Sequence, residues 1–132
     1  MESLFIEATD TTPEIDFNIE SGVFSIEGKA INNDAEEFFK PILSWLDDYL
    51  TAPNEVTHVV VKLDYFNISS SKRILFVFYK LNELIDSGYT VDVKWYYHED
   101  EDDMYEVGQD FAFMVKVPFE FCEYSLYEKV LA

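Results

Sequence analysis

The stretch Val56-Thr57-His58-Val59-Val60-Val61-Lys62-Leu63-Asp64-Tyr65-Phe66-Asn67-Ile68-Ser69-Ser70-Ser71-Lys72 decides the fold. Its first half, centred on Val59-Val60-Val61, is a β-branched run bounded by turn chemistry, the pattern of a central strand covered on both faces. After Asn67 the apolar residues Ile74, Leu75, Phe78, Leu81, Leu84 and Ile85 recur at helical spacing, and Gly88 supplies a stop. Thr90 to Tyr97 then alternates Val91, Val93 and Trp95 against Asp92, Lys94 and Tyr96. Strand, helix and strand in immediate succession predict a right-handed crossover between parallel strands, hence an α/β fold.

Towards the N-terminus, Leu4 to Ala8 reads as a short strand. Ile15, Phe17 and Ile19 alternate with polar residues, Glu20-Ser21-Gly22 turns, and Val23 to Ile26 returns, which predicts a β-hairpin. Asn33 or Asp34 is placed to cap a helix whose apolar stripe is Phe38, Ile42, Trp45, Leu46 and Tyr49. Pro41 lies inside it and removes a backbone hydrogen bond, so a bent helix or two short ones are expected. Towards the C-terminus, Asp100 to about Asp110 reads as a short helix with carboxylates in its first turn. Val115 to Phe119 reads as a last strand at an edge, because Pro118 has no donor for a ladder. One domain is expected over residues 1–132, with a core of about 4–121 and a tail of 122–132.

Composition narrows the function classes. Of 132 residues 48% are hydrophobic, enough for one core and too few for two. With 12 Phe, 9 Tyr and 2 Trp, that core must be built largely from rings. Asp and Glu outnumber Lys and Arg by 27 to 9, a formal charge of -18. Such a surface repels phosphate backbones and anionic headgroups, so neither nucleic acid nor membrane is an expected partner. Cys122 is the sole cysteine, which excludes an intramolecular disulfide; apolar neighbours make it a buried structural thiol rather than a nucleophile. With no basic leader and no long apolar run, a cytoplasmic location is expected.

Three features carry candidate chemistry. His98-Glu99-Asp100-Glu101-Asp102-Asp103 has the ligand types of a cation site but not the spacing of a calcium loop. Its simplest reading is a solvated helix start, and Asp100, Glu101, Asp102 and Asp103 also make a possible docking surface for a basic partner. His58 and His98 have no nucleophile spaced around them in a hydrolase motif, and no phosphate-cradling glycine loop occurs, so no metal or other cofactor is expected. The turn Asn67 to Lys72 is the third: one helix cap needs one side chain, yet Asn67, Ser69, Ser70 and Ser71 all offer oxygens there. Surplus hydroxyls at a helix start sit where a phosphoryl group gains from the helix dipole.

Leu63-Asp64-Tyr65-Phe66-Asn67-Ile68-Ser69-Ser70-Ser71-Lys72 resembles the Tyr-Phe-Asn-Thr-Ser-Ser motif of the SiaC family of regulatory phosphoproteins. Thr12-Pro13, Phe38-Phe39-Lys40-Pro41-Ile42 with Trp45-Leu46, Trp95-Tyr96-Tyr97, and Asp102-Asp103-Met104 with Gly108 are similar to that family too, so the likeness spans roughly residues 5–121. The resemblance implies a STAS-like fold, related to anti-sigma-factor antagonists: a mixed sheet with helices mainly on one face. It implies no enzyme, but a partner phosphorylated by a cognate Ser/Thr kinase, dephosphorylated by a PP2C-type phosphatase, and, when unphosphorylated, stimulating a diguanylate cyclase that feeds cyclic di-GMP signalling and biofilm formation. The family's acceptor threonine falls on Ile68, which has no hydroxyl. Either Ser69, Ser70 or Ser71 replaces it, or this chain is constitutively unphosphorylated. A metal-dependent enzyme using His98 and the acidic run ranks below both.

Overall fold

The computed structural model describes residues 1–125. The elements run β1 (Leu4–Ile6), β2 (Glu14–Asn18), β3 (Val23–Ala30), α1 (Ala35–Tyr49), β4 (Val56–Phe66), α2 (Ile68–Asp86), β5 (Thr90–His98), α3 (Asp102–Met114) and β6 (Phe119–Tyr124). They form one six-stranded sheet in the order β1-β2-β3-β4-β5-β6. The β1-β2-β3 portion is antiparallel, and β3 to β6 are parallel, joined in turn by α1, α2 and α3. Right-handed crossovers that always advance in one direction leave every helix on the same face.

Burial follows that asymmetry. Phe24, Ile26, Val59, Val61, Leu63, Val91, Val93 and Trp95 are buried, whereas Ser25, Val60, Lys62, Asp92 and Tyr96 are half-buried and Glu27, His58 and Lys94 exposed. Strand side chains alternate between faces, so the first set meets the helices and the second lies on the bare face. The expectation that the Val56 run is covered on both sides is therefore corrected: β4 is central, but only one of its faces is roofed. A β-branched run reads alike in both settings, and the signal that separates them is the polar partner at every second position, His58, Lys62 and Asp64.

The rings fill the roofed side. Phe17 stacks on Phe24 at 4.9 Å, Trp45 stacks on Tyr49 at 5.4 Å, and Tyr49 donates to or accepts from Thr57 Oγ1 at 2.8 Å in the core. Trp95 lies wholly buried, its indole N–H donating to the Met104 carbonyl at 2.9 Å. Gly108 of α3 sits directly over that ring: a Cβ placed there would come within 2.6 Å of Trp95 Nε1. At the end of α2, Gly88 takes φ +91°, and the N–H of Tyr89 returns to the Leu84 carbonyl at 2.9 Å, closing the helix as a left-handed glycine allows.

Several local expectations shift. Pro41 does not split α1, which is a single helix from Ala35 to Tyr49; Asp34 stands at its cap position without a side-chain cap bond. The first strand stops at Ile6, the helix at the acidic run spans 102–114 rather than 100–110, and the last strand is Phe119–Tyr124 rather than Val115–Phe119. Val115 to Val117 is instead pinned to α2, with the Lys116 N–H donating to Asn82 Oδ1 at 2.7 Å and the Lys116 ammonium pairing with Asp86 at 2.8 Å. Pro118 precedes the strand, and its carbonyl accepts from the Val93 N–H at 2.9 Å. The edge placement was right. The expected tail of 122–132 also changes, since Cys122, Glu123 and Tyr124 belong to β6; residues 126–132 of it lie outside the described residues.

Candidate functional site

The parallel strands β3, β4 and β5 all end at one edge of the sheet, and their ends bring Ile31-Asn32, Asn67 to Lys72 and His98 to Asp103 to that edge. Ligands and partners of open α/β sheets meet the protein there, because the loops are free to vary without touching the core. The Asn67 turn is tied on three sides by hydrogen bonds. Asn67 is the cap of α2, in extended conformation, with its Oδ1 accepting from the Ser70 N–H at 2.8 Å. Its N–H donates to the Ala30 carbonyl at 3.0 Å and its Nδ2 to the Asn32 carbonyl at 3.2 Å. One side chain thus does the capping and also ties α2 to β3. Replacing Asn67 with Ala is expected to cost about 1 kcal/mol for the cap alone, read as a lower urea midpoint at unchanged slope.

The four residues after the cap face very different surroundings. Ile68, the first helical residue, is 91% exposed, and Tyr65 just before the turn is 58% exposed. Ser69 is exposed and Ser71 half-buried, whereas Ser70 is completely buried. Of the three surplus serines, only Ser69 therefore stands free in solvent, which the sequence does not distinguish. Lys72 is exposed, its ammonium 5.9 Å from the centre of the Phe76 ring. The first turn of α2 contains no acidic residue, so the positive end of its dipole is not neutralised from within.

The acidic run takes a different form. Glu101 occupies the cap position of α3 without a side-chain cap bond, and Asp102 and Asp103 lie exposed in its first turn beside exposed Asp100. His98 lies on the bare face beneath Tyr124, its Nδ1 3.9 Å from the Asp100 carboxylate. Its ring is buried edge-on to Tyr124 at 5.6 Å, and its Nδ1 accepts from the Asp100 N–H at 3.1 Å. An Nδ1 so engaged has no lone pair for a metal, and among the described residues no three His, Cys, Asp or Glu side chains gather as a metal group. The other histidine, His58, lies at the opposite end of the bare face, paired with Asp92 at 2.7 Å. Cys122 is half-buried on the bare face rather than fully buried, because β6 is an edge strand; burial and then nearby Glu120 push its thiol pKa up, away from nucleophilic use.

Tyr124 closes this edge. Burial first, then the charge of Asp64, to which the phenol donates at 3.4 Å, push its pKa up to about 12. Between the ordinary value of 10 and that figure the unfolded chain has lost the phenolic proton while the folded one keeps it, so stability falls as pH rises through this window. Thermal midpoints measured from pH 9 to pH 12 should fall less steeply in Tyr124→Phe than in the parent, by about the share one phenol contributes.

The tip of α2 thus pairs an exposed apolar side chain, Ile68, with an exposed hydroxyl, Ser69. The chain matches the SiaC family regulatory phosphoprotein over residues 6–124 and belongs to that family of regulators, which are not enzymes. It is 25% identical over 119 residues to an uncharacterised protein of Pseudomonas aeruginosa strain UCBPP-PA14, covering 90% of this chain and 94% of that one. Among solved structures it is similar to SiaC of Pseudomonas aeruginosa, at 24% identity with a TM-score of 0.85 over 94% of this chain and all of that one. It is similar also to a chain in the crystal structure of the diguanylate cyclase SiaD in complex with its activator SiaC, from the same organism, with a TM-score of 0.83 at 24% identity over 92% of this chain and 99% of that one. These likenesses establish the fold. No helix among the described residues is long and apolar enough to cross a membrane.

Proposed function

We propose that this chain is a non-enzymatic activator of a diguanylate cyclase and binds it through the tip of α2, from Asn67 to Lys72. The observation that carries this reading is Ile68. An isoleucine with 91% of its surface in water, fixed at the first position of a capped helix, gains nothing for folding and much from being covered by a partner. It stands at the position where the family motif has its acceptor threonine, and it keeps the β-branched shape of that residue without the hydroxyl. The surface is therefore permanently in its unphosphorylated, binding form. The exposed carboxylates Asp100, Asp102 and Asp103, with Glu101, border the same edge and offer a docking flank to a basic segment of the partner.

One observation favours a second reading in which control survives. Ser69 is exposed next to Ile68, and a cognate Ser/Thr kinase and a PP2C-type phosphatase would then act there. Adding about -1.5 to -2 of charge beside the apolar tip would block its burial. Two measurements decide. Synthesis of cyclic di-GMP by the purified cyclase should rise on adding the chain; no rise would sink the activator reading. Intact mass after incubation with the kinase and ATP should stay unchanged, whereas a gain of one phosphoryl group lost in Ser69→Ala would establish the second reading over the first.

A further inference from the structure

The outer rim of the roofed side, where β6 meets the first turns of α3, carries three rings that the core does not close over. Tyr97 of β5, Tyr105 of α3 and Phe121 of β6 are each half-buried. Tyr97 and Tyr105 lie with ring centroids 4.8 Å apart, and Tyr105 meets Phe121 edge-on at 5.3 Å. Both hydroxyls are held from the side: Gln109 Nε2 donates to the Tyr105 oxygen at 3.0 Å, and the Tyr97 phenol donates to Glu123 at 3.4 Å. Exposed Asp102 lies three residues before Tyr105 on the same face of α3, and exposed Glu123 sits opposite Tyr97 in the strand register. Neither carboxylate has an ion pair among the described residues.

Other rings of this chain come with a cation of their own. Lys29 lies over Tyr65 at 5.9 Å, Lys62 over Tyr96 at 5.6 Å and over Tyr124 at 4.8 Å, and Lys72 and Arg73 over Phe76 at 5.9 and 5.4 Å. Among the described residues no Lys or Arg lies over Tyr97, Tyr105 or Phe121, although two carboxylates stand at their rim. Ring faces hold partial negative charge, so the rings and the carboxylates here attract the same thing, a cation. With a formal charge of -18, the chain as a whole draws cations to its surface. Of the two basic side chains arginine fits: its planar guanidinium stacks on a ring while its fork of donors pairs with a carboxylate, and it sheds water more readily than an ammonium. We propose that the corner formed by Tyr97, Tyr105 and Phe121 seats an arginine side chain of the partner protein, stacked on the rings and paired with Glu123 and Asp102. This rests on the activator reading above; it adds a second contact, separate from the tip of α2, and names the residue type that fills it.

The test uses the full chain and the purified full-length diguanylate cyclase, with affinities measured by calorimetry. Tyr105→Leu keeps an apolar side chain but removes the ring face, and should weaken binding about 5- to 30-fold, the range of a desolvated contact between a cation and a ring. Tyr105→Phe keeps the face and should stay within about 2-fold of the parent. Glu123→Gln should weaken binding about 10-fold and make it less sensitive to salt. Lys94→Glu on the bare face should leave it unchanged, and far-UV dichroism with a thermal melt checks the fold of each variant. A photo-crosslinking residue in place of exposed Glu106 should attach to a segment of the cyclase that contains an arginine, and changing that arginine to lysine should reproduce the loss seen in Tyr105→Leu. If the cyclase binds the parent chain, Tyr105→Leu and Glu123→Gln alike, the arginine seat is overturned while the activator reading stands. If the cyclase does not bind the parent chain, both fall. Equal losses in Tyr105→Phe and Tyr105→Leu, or a crosslink from position 106 to residues 126–132 of the same chain, would also overturn the seat.

Discussion

Ile68→Asp is expected to reduce affinity for the diguanylate cyclase by about 30-fold or more, the loss typical of a central apolar anchor, while leaving the fold intact. The two halves of that statement have separate causes. Stability is unaffected because the side chain is 91% exposed and touches nothing the core needs, and an aspartate in the first turn of a helix is favoured by the dipole. Binding is lost because a carboxylate must be desolvated where an apolar surface was covered before. Ile68→Thr restores the family's acceptor type at nearly the same shape. Its affinity should fall by at most about 15-fold, since a hydroxyl replaces the ethyl arm of the isoleucine, two carbons at roughly 0.8 kcal/mol each. After kinase and ATP, that variant alone should gain a phosphoryl group. Calorimetry with intact-mass analysis reads both, and a full-strength complex with Ile68→Asp would show that the contact lies elsewhere.

Gly108→Val is expected to cost about 3 kcal/mol, the upper range for overpacking a core. The reason is the approach of α3 to Trp95: a Cβ at position 108 would lie 2.6, 2.7 and 2.8 Å from three atoms of the indole. The ring has nowhere to go. It is fully buried, donates to the Met104 carbonyl at 2.9 Å, and meets the Phe111 ring edge-on at 5.7 Å. Gly108→Ala makes the same first contact but recovers about 1 kcal/mol of helix propensity, so its loss should be smaller. Thermal melts of the two variants should therefore be ordered parent, Ala, Val, with the last down by roughly 10 °C. A valine variant that melts with the parent would mean α3 does not rest on the indole.

The sequence was most legible where one period ran long enough to be read alone. Val59-Val60-Val61 with the Ile74-to-Ile85 stripe and the Val91, Val93 and Trp95 alternation yield β4, α2 and β5 with their parallel pairing. Beyond them the signals weaken for physical reasons. Val115-Lys116-Val117 has the composition of a strand, but tertiary contacts with Asn82 and Asp86 hold it as a connection, and no local pattern reveals a partner some 34 residues away. Pro41 predicts a bent helix or two short ones, and of these the split does not occur, since α1 runs through it as a single helix; burial of Phe39, Ile42, Leu46 and Tyr49 outweighs one missing hydrogen bond.

At the candidate site the turn was legible and its interior was not. A cap by Asn or Ser is legible from type and position, but not that Asn67 is the one that caps, and three identical serines in a row give no hint that Ser70 faces inward and Ser69 outward; that depends on where α2 sets down on the sheet. The exposure of Tyr65 and Tyr79 is not legible either, because an aromatic ring in the sequence reads first as core. For His98 the sequence offers a row of carboxylates, whereas in space the imidazole meets a tyrosine ring, a backbone amide and, at 3.9 Å, the carboxylate of Asp100 alone.

The sheet order β1 to β6 repeats the order of the chain, so no strand is inserted between two made earlier. During synthesis each new strand adds to the edge of the strand just before it, so the sheet can grow outward from the hairpin as the polypeptide leaves the ribosome, with the outer edge of β1 left open. Assembly can thus keep pace with translation, and no early segment has to wait with its backbone unpaired for a distant one.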